Sequence, residues 1–184
     1  MFSRDNVELR PVDWADKDQM YPWHCDAELE IMSGWGPRRS KTTYEAKFRS
    51  FLENPPSDMA VFAIEHGGDL AGRIELAEID LENRRASLGL IVGDKQKWGT
   101  GIGSSAVIIM LDYAFHGLNL ERVYAHTYSF NERGRRLMKS VGFVEEGLLR
   151  GHELHNGAAR DMHVFGMLAG EFRDRHGTLF AAPE

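Results

Sequence analysis

The chain has 184 residues, 42% of them hydrophobic and 27% charged, with a net charge of −6. That size suits one compact domain with a real core, and the acidic balance argues against general nucleic-acid binding while permitting a cationic substrate. A single cysteine, Cys25, excludes an internal disulfide and most cysteine-based metal sites. No apolar run approaches the roughly 18 residues of a membrane span, and the polar opening Met1-Phe2-Ser3-Arg4-Asp5 lacks a signal-peptide core. The expectation is a cytoplasmic protein with no metal, no membrane and no nucleic-acid partner.

Taken in chain order, Val7 to Val12 alternates like a first strand, and Asp16 to Met32 has helix-like apolar spacing through Met20, Trp23, Leu29, Ile31 and Met32. Ser33-Gly34-Trp35-Gly36-Pro37 breaks that pattern. Ser40 or Thr42 can cap a second helix running to Leu52, before Asn54-Pro55-Pro56-Ser57 ends it. Met59 to Glu65 and Leu70 to Asp80 read as antiparallel strands about the turn His66-Gly67-Gly68-Asp69, and Arg85 to Val92 as the fourth strand. A helix from Ser104 to Gly117 follows, then a fifth strand from Arg122 to Tyr128, and a helix from Asn131 to Val141 with asparagine as its cap. Phe143 to Glu153 and Arg160 to Leu168 flank Asn156-Gly157, a hairpin signal. The pattern is mixed α/β (α+β), built on a mostly antiparallel sheet with helices on both faces. No composition break marks a second domain, so residues 1–184 are taken as one unit, with a core over about 7–171 and a tail over 172–184.

The most informative stretch is Gln96-Lys97-Trp98-Gly99-Thr100-Gly101-Ile102-Gly103. A strand that feeds a glycine-rich turn opening a helix is an anion cradle. Glycines let the backbone approach a ligand, and the unpaired N–H groups of the first helical turn point at its negative charge. A dinucleotide fingerprint is disfavoured, because Ser104 stands where the sixth position needs glycine and no acidic residue ends the strand Val123 to Tyr128. A Walker A loop is excluded, since no Gly-Lys-Ser/Thr follows.

The segment Ala86 to Lys95 with Trp98 to Gly103 resembles motif A of the GNAT superfamily of acyl-CoA N-acyltransferases. Asn131, Leu137 and Gly142 to Arg150 resemble its motif B. Asn156-Gly157 with Asp161, and the early Trp23 to Glu28, are similar to the branch holding ribosomal-protein N-terminal and spermidine acetyltransferases. The resemblance runs from about Val7 to Glu171. It implies the GNAT fold, with the sheet splayed between the fourth and fifth strands, and acetyl-CoA as cosubstrate. It further implies pyrophosphate binding by the backbone of Trp98, Gly99, Thr100, Gly101, Ile102 and Gly103. The pantetheine arm is implied on the strand edge at Leu90, Ile91 and Val92, and a cofactor contact at Asn131.

The implied chemistry is acyl transfer from a thioester to an amine, which needs a neutral amine, a stabilised carbonyl oxygen and a protonated leaving thiolate. The positions where relatives place a glutamate, a tyrosine or a serine for this work hold Ser87, Met138 and Gly134 here. Glu75, Glu78, His126 and Tyr128 are the substitutes, with Glu75 and Tyr128 preferred. Glu75 and Glu78 face opposite sides unless a bulge intervenes, whereas His126 and Tyr128 share a face. On the acceptor side, Trp23 and Trp35 can stack on a planar acceptor, and the basic run Gly36 to Lys41 suits an anionic part if it lines the mouth. The reading is an N-acetyltransferase acting on a primary amine of a small molecule or peptide N-terminus, with a homodimer permitted. The alternatives are a polyamine acetyltransferase and a catalytically silent acyl-CoA sensor.

Overall fold

The computed structural model describes residues 2–33 and 40–178. The strands are β1 (Phe2–Arg4), β2 (Val7–Pro11), β3 (Ala60–His66), β4 (Asp69–Asp80), β5 (Arg85–Val92), β6 (Arg122–Tyr128), β7 (Val144–His155) and β8 (Ala158–Leu168). They form one sheet in the order β1-β2-β3-β4-β5-β6-β8-β7. The helices are α1 (Lys17–Cys25), α2 (Ala27–Ser33), α3 (Lys41–Glu53), α4 (Ile102–Asp112), α5 (Glu132–Val141) and α6 (Ala169–His176). No helix among the described residues is long and apolar enough to cross a membrane.

The sheet separates two apolar layers because each strand alternates. Ile74, Leu76, Ala86, Leu88, Val123 and Ala125 turn to α4, whose Ile102, Ala106, Ile109 and Met110 are almost fully buried. Ala63 turns to the other face, where Met20, Trp23, Tyr44 and Phe48 from α1 and α3 cover it. The second face carries Arg73, Glu75, Gly89 and Ile91 on neighbouring strands.

All neighbouring strands are antiparallel except β5 and β6, which pair in parallel only over Arg85–Ser87 and Arg122–Tyr124. Beyond Ser87 the two strands part, so the expected splay lies between them, at β5 and β6 once the extra β1 is counted.

Several elements differ from expectation. The single helix over Asp16 to Met32 is two helices, because Asp26 adopts an extended conformation (φ −79°, ψ 122°) and its carboxylate accepts hydrogen bonds from the N–H groups of Glu28 and Leu29 at 3.0 and 3.1 Å. Capping the second helix outweighs continuing the first. A bulge does intervene in β4: Glu78 has φ +53° and the pairing with β5 shifts between Ala77 and Asp80. Regular structure is also found outside residues 7–171. β1 pairs with β2, and α6 seats Phe172 at 0% exposure. The loop residues Trp35 and Gly36 to Arg39 lie outside the described residues.

Candidate active site

The glycine cradle forms where β5 ends. Asp94 starts a short turn by accepting from the N–H of Gln96, and Gly101 (φ +92°) swings the chain into α4. The first α4 amide with a helical partner is Ser105, bonded to the Gly101 carbonyl at 3.0 Å. The N–H groups of Ile102, Gly103 and Ser104 therefore have no carbonyl within the helix. They border a cavity of about 410 Å3, which Trp98, Gly99, Gly101, Val92, Arg133 and Arg136 also line. Open space stands before Gly99 and Gly101. A diphosphate fits this end on three counts: unpaired amides, positive φ at both glycines, and two arginines. Thr100 does not line the cavity; its hydroxyl donates to the Lys97 carbonyl at 2.7 Å and closes the turn.

Trp98 lies across the strand edge. Its indole Nε1–H donates to the Val92 carbonyl at 2.7 Å, and the Arg133 guanidinium stacks over its ring at 3.8 Å. The Gly93 N–H bonds the Ala71 carbonyl of β4. By antiparallel alternation the backbone groups of Gly89 and Ile91 also point to β4, whereas those of Leu88, Leu90 and Val92 point into the splay. Leu90 and Val92 thus present an open edge, and Ile91 contributes its side chain.

A second cavity of about 260 Å3 adjoins the first. Both are lined by Met32, Ser33, Leu90, Ile91, Asn131, Gly134 and Leu137, so they form one slot. Glu75, His126, Tyr128 and Glu153 line the far end. Glu75 can lie across the floor because Gly89 has no side chain: a Cβ there would stand 2.9 Å from Glu75 Oε1. Arg73 pairs with Glu75 at 2.9 Å. Glu78, in the bulge, accepts from the Tyr124 hydroxyl and lies outside the slot lining.

The Tyr128 hydroxyl donates to Glu153, and its ring stacks on Phe130. Burial, reinforced by that carboxylate, pushes the phenol up to about 12. Glu153 follows an irregular stretch of β7. Gly151 takes φ +58° and its N–H donates to the Asp161 carboxylate at 2.7 Å. Sequence reasoning missed Glu153 and Arg73, since β7 reaches the slot only through pairing with β8. The Asn156-Gly157 hairpin was the available signal that β7 and β8 lie together.

Asn131 does two jobs. Its Oδ1 accepts from the Gly134 N–H at 2.9 Å, capping α5, and its Nδ2 donates to the Met32 carbonyl at 3.3 Å. Gly134 is required by this packing, because a Cβ would meet Asn131 Nδ2 and Thr127 Cγ2 at 3.0 Å. Met138 is buried, while Ser87 sits where β5 still pairs on both sides. Across the slot, Lys95 binds Asp26 at 2.7 Å and Glu28 at 2.9 Å. Lys95 and the Leu29 N–H hold the Asp26 carboxyl below its usual range. Helix α2 is therefore held at its start by the cradle and at its end by Asn131. Trp23 lies flat where Gly93 leaves room, since a Cβ there would meet its ring at 2.0 Å.

A parallel pair thus opens onto a helix N-terminus, and a slot runs from unpaired amides to titratable groups. Residues 6–144 match the model of the acetyltransferase (GNAT) domain family, and the chain belongs to that family. It is an acetyl-CoA-dependent N-acetyltransferase. It is 35% identical over 172 residues to an uncharacterized N-acetyltransferase p20 of Bacillus licheniformis, covering 91% of this chain and 96% of that one. It is 28% identical over 170 residues to spermidine N(1)-acetyltransferase of Escherichia coli, covering 88% and 85%. A solved spermidine N-acetyltransferase from Vibrio cholerae, in complex with CoA and spermine, has the same fold, with a TM-score of 0.83 at 24% identity, covering 92% of this chain and 99% of that one.

Proposed function

We propose that acetyl-CoA lies along the slot with its pyrophosphate on the amides of the cradle and its pantetheine arm on the edge of Leu90 and Val92. The observation that carries this reading is the continuity of the two cavities through Leu90, Ile91, Asn131, Gly134 and Leu137. Arg133 and Arg136 add charge for the phosphates, and the arm adds a strand to β5 as an extended peptide would. Because the Trp98 indole already donates to Val92, the open donors and acceptors start at Leu90 and the Val92 N–H.

The cosubstrate supplies an activated acetyl group. The acceptor amine enters from the side of Glu75, which takes its proton. Holding the amine against the thioester supplies much of the acceleration. Tyr128 faces the sulfur. A full proton transfer from a group at about 12 to a thiolate near ~8.5 runs roughly 5 kcal/mol uphill. Tyr128 therefore serves by donating a hydrogen bond while charge develops, after turning its hydroxyl from Glu153.

The acceptor is a primary amine of a small molecule or peptide N-terminus. A polyamine is the second reading, favoured by the carboxylates Glu75 and Glu153 and by the spermidine acetyltransferases among the relatives. Calorimetry with CoA and thiol release from acetyl-CoA test the reading. Micromolar CoA binding with amine-dependent thiol release is expected; CoA binding without release from any primary amine sinks it.

A further inference from the structure

A third cavity of about 300 Å3 lies between α1, α3 and the sheet, and the transfer step leaves it unused. It shares Arg73 and Ile91 with the catalytic end of the slot. Its wall is aromatic, with Trp23, Tyr44, Phe48 and Phe51, and none of its described lining residues is acidic. Lys47 and Arg73, the latter already paired with Glu75 at 2.9 Å, are its cationic lining residues. Burial pushes the Tyr44 phenol up to about 12, so that ring stays neutral.

Strand register connects this pocket to the chemistry. Glu75 has Gly89 beside it on β5 and Val61 beside it on β3. Arg73 has Ile91 and Ala63 in the same positions. Residues directly opposite share a face, so the path from the splayed edge runs over Gly89 and Glu75 to Val61, roughly 10 Å across two strand spacings. That is the reach of one compact molecule, and the volume is at the small end for ligand sites. A polyamine entering here would press a second cation against aromatic rings, Arg73 and Lys47, with no carboxylate among the described lining to receive it.

We propose that the preferred acceptor is a primary amine that also carries an apolar or aromatic body and a carboxylate, as an apolar α-amino acid does. The apolar body fills the pocket between Trp23, Phe48 and Val61. The carboxylate shares the Arg73 guanidinium with Glu75, since five N–H donors in a planar fork can serve more than one carboxylate. The amine is left beside Glu75. This rests on the proposed placement of the thioester between Tyr128 and Glu75.

The test measures kcat/KM by thiol release for phenylalanine, phenethylamine, glycine and spermidine, with CoA affinity measured alongside. Phenylalanine is expected to exceed glycine by at least ~10-fold, from burial of the ring. It is expected to exceed phenethylamine by at least ~10-fold, from the charged hydrogen bonds of its carboxylate. Arg73→Gln should bring the phenylalanine-to-phenethylamine ratio toward one. Val61→Phe, which fills the pocket, should bring the phenylalanine-to-glycine ratio toward one. Spermidine turned over better than phenylalanine, equal rates across the panel, or no turnover with normal CoA affinity each overturn the proposal. Loss of CoA binding instead strikes the cofactor reading on which it rests. The wild-type panel alone decides if either variant fails to fold.

Discussion

Residues Arg85–Ser87 of β5 pair with strands on both sides, whereas Leu88–Val92 pair with β4 alone. The paired half is fastened around Arg122, which starts β6 and holds Glu146 of β7 through two hydrogen bonds. The open half ends in a glycine loop with unpaired amides. One strand thus serves as scaffold over its first three residues and presents an open edge over the rest. The difference teaches that the splay is a branch point: what holds the paired half together also sets where the open half points.

The comparison breaks most severely at the cradle. Gly101→Asp places a carboxylate where the phosphates are proposed to lie. Space is open at that position, but its φ of +92° strains any side chain. Gly101→Asn carries the same strain without the charge. CoA affinity is expected to fall at least ~100-fold for Asp and clearly less for Asn, because like charges in a confined site repel strongly. Equal losses in calorimetry would assign the effect to backbone strain alone.

A smaller effect is expected at the catalytic end. Tyr128→Phe should lower kcat by at least ~10-fold, the lower range for a positioned hydrogen-bond donor or acid, with CoA affinity unchanged within about twofold. A kcat within about twofold of wild type would show that the Tyr128 hydroxyl does not stabilise the developing thiolate, which water protonates, and would leave Tyr128 as a packing residue on Phe130.

The smallest effect belongs to the paired half. Arg122 holds the Glu146 carboxyl below its usual 4.5. A folded-state value below the unfolded one gives stability that is present above pH 4.5 and is lost as pH falls through the folded value. Glu146→Gln should therefore lower the melting temperature at pH 7 by roughly 1–3 °C, the scale of a half-exposed ion pair. The gap should close in the window below about pH 4.5. A gap that persists there points to packing rather than to the ion pair.

Much of the fold was legible from local pattern. Arg85–Val92 and Arg122–Tyr128 have the expected bounds, because each alternates around a buried set. The caps Ser40 and Asn131 were readable for the same local reason, each accepting from an N–H three residues on. The break at Asp26 was hidden by apolar spacing that continues through it. Helix α6 was missed because a mostly polar stretch buries only Ala169 and Phe172; Glu171, reaching back to the Leu168 N–H at 2.8 Å, was the local hint. In the site, the glycine cradle could be read because its chemistry lies in consecutive residues. Glu153 and Arg73 could not, since strand pairing brings them to the slot from far along the chain.

The indole of Trp98 has a consequence for the enzyme before it meets its cosubstrate. An exposed strand edge is an invitation to any extended chain, and in a crowded cell the commonest visitor is a partly unfolded neighbour. By occupying the Val92 carbonyl, Trp98 removes the outermost rung that such a visitor would grip first. The remaining groups, the Val92 N–H and those of Leu90, line a slot bounded by Met32 and Leu137. The open edge is thereby shortened by one acceptor, and what shortens it is a side chain belonging to the cradle itself.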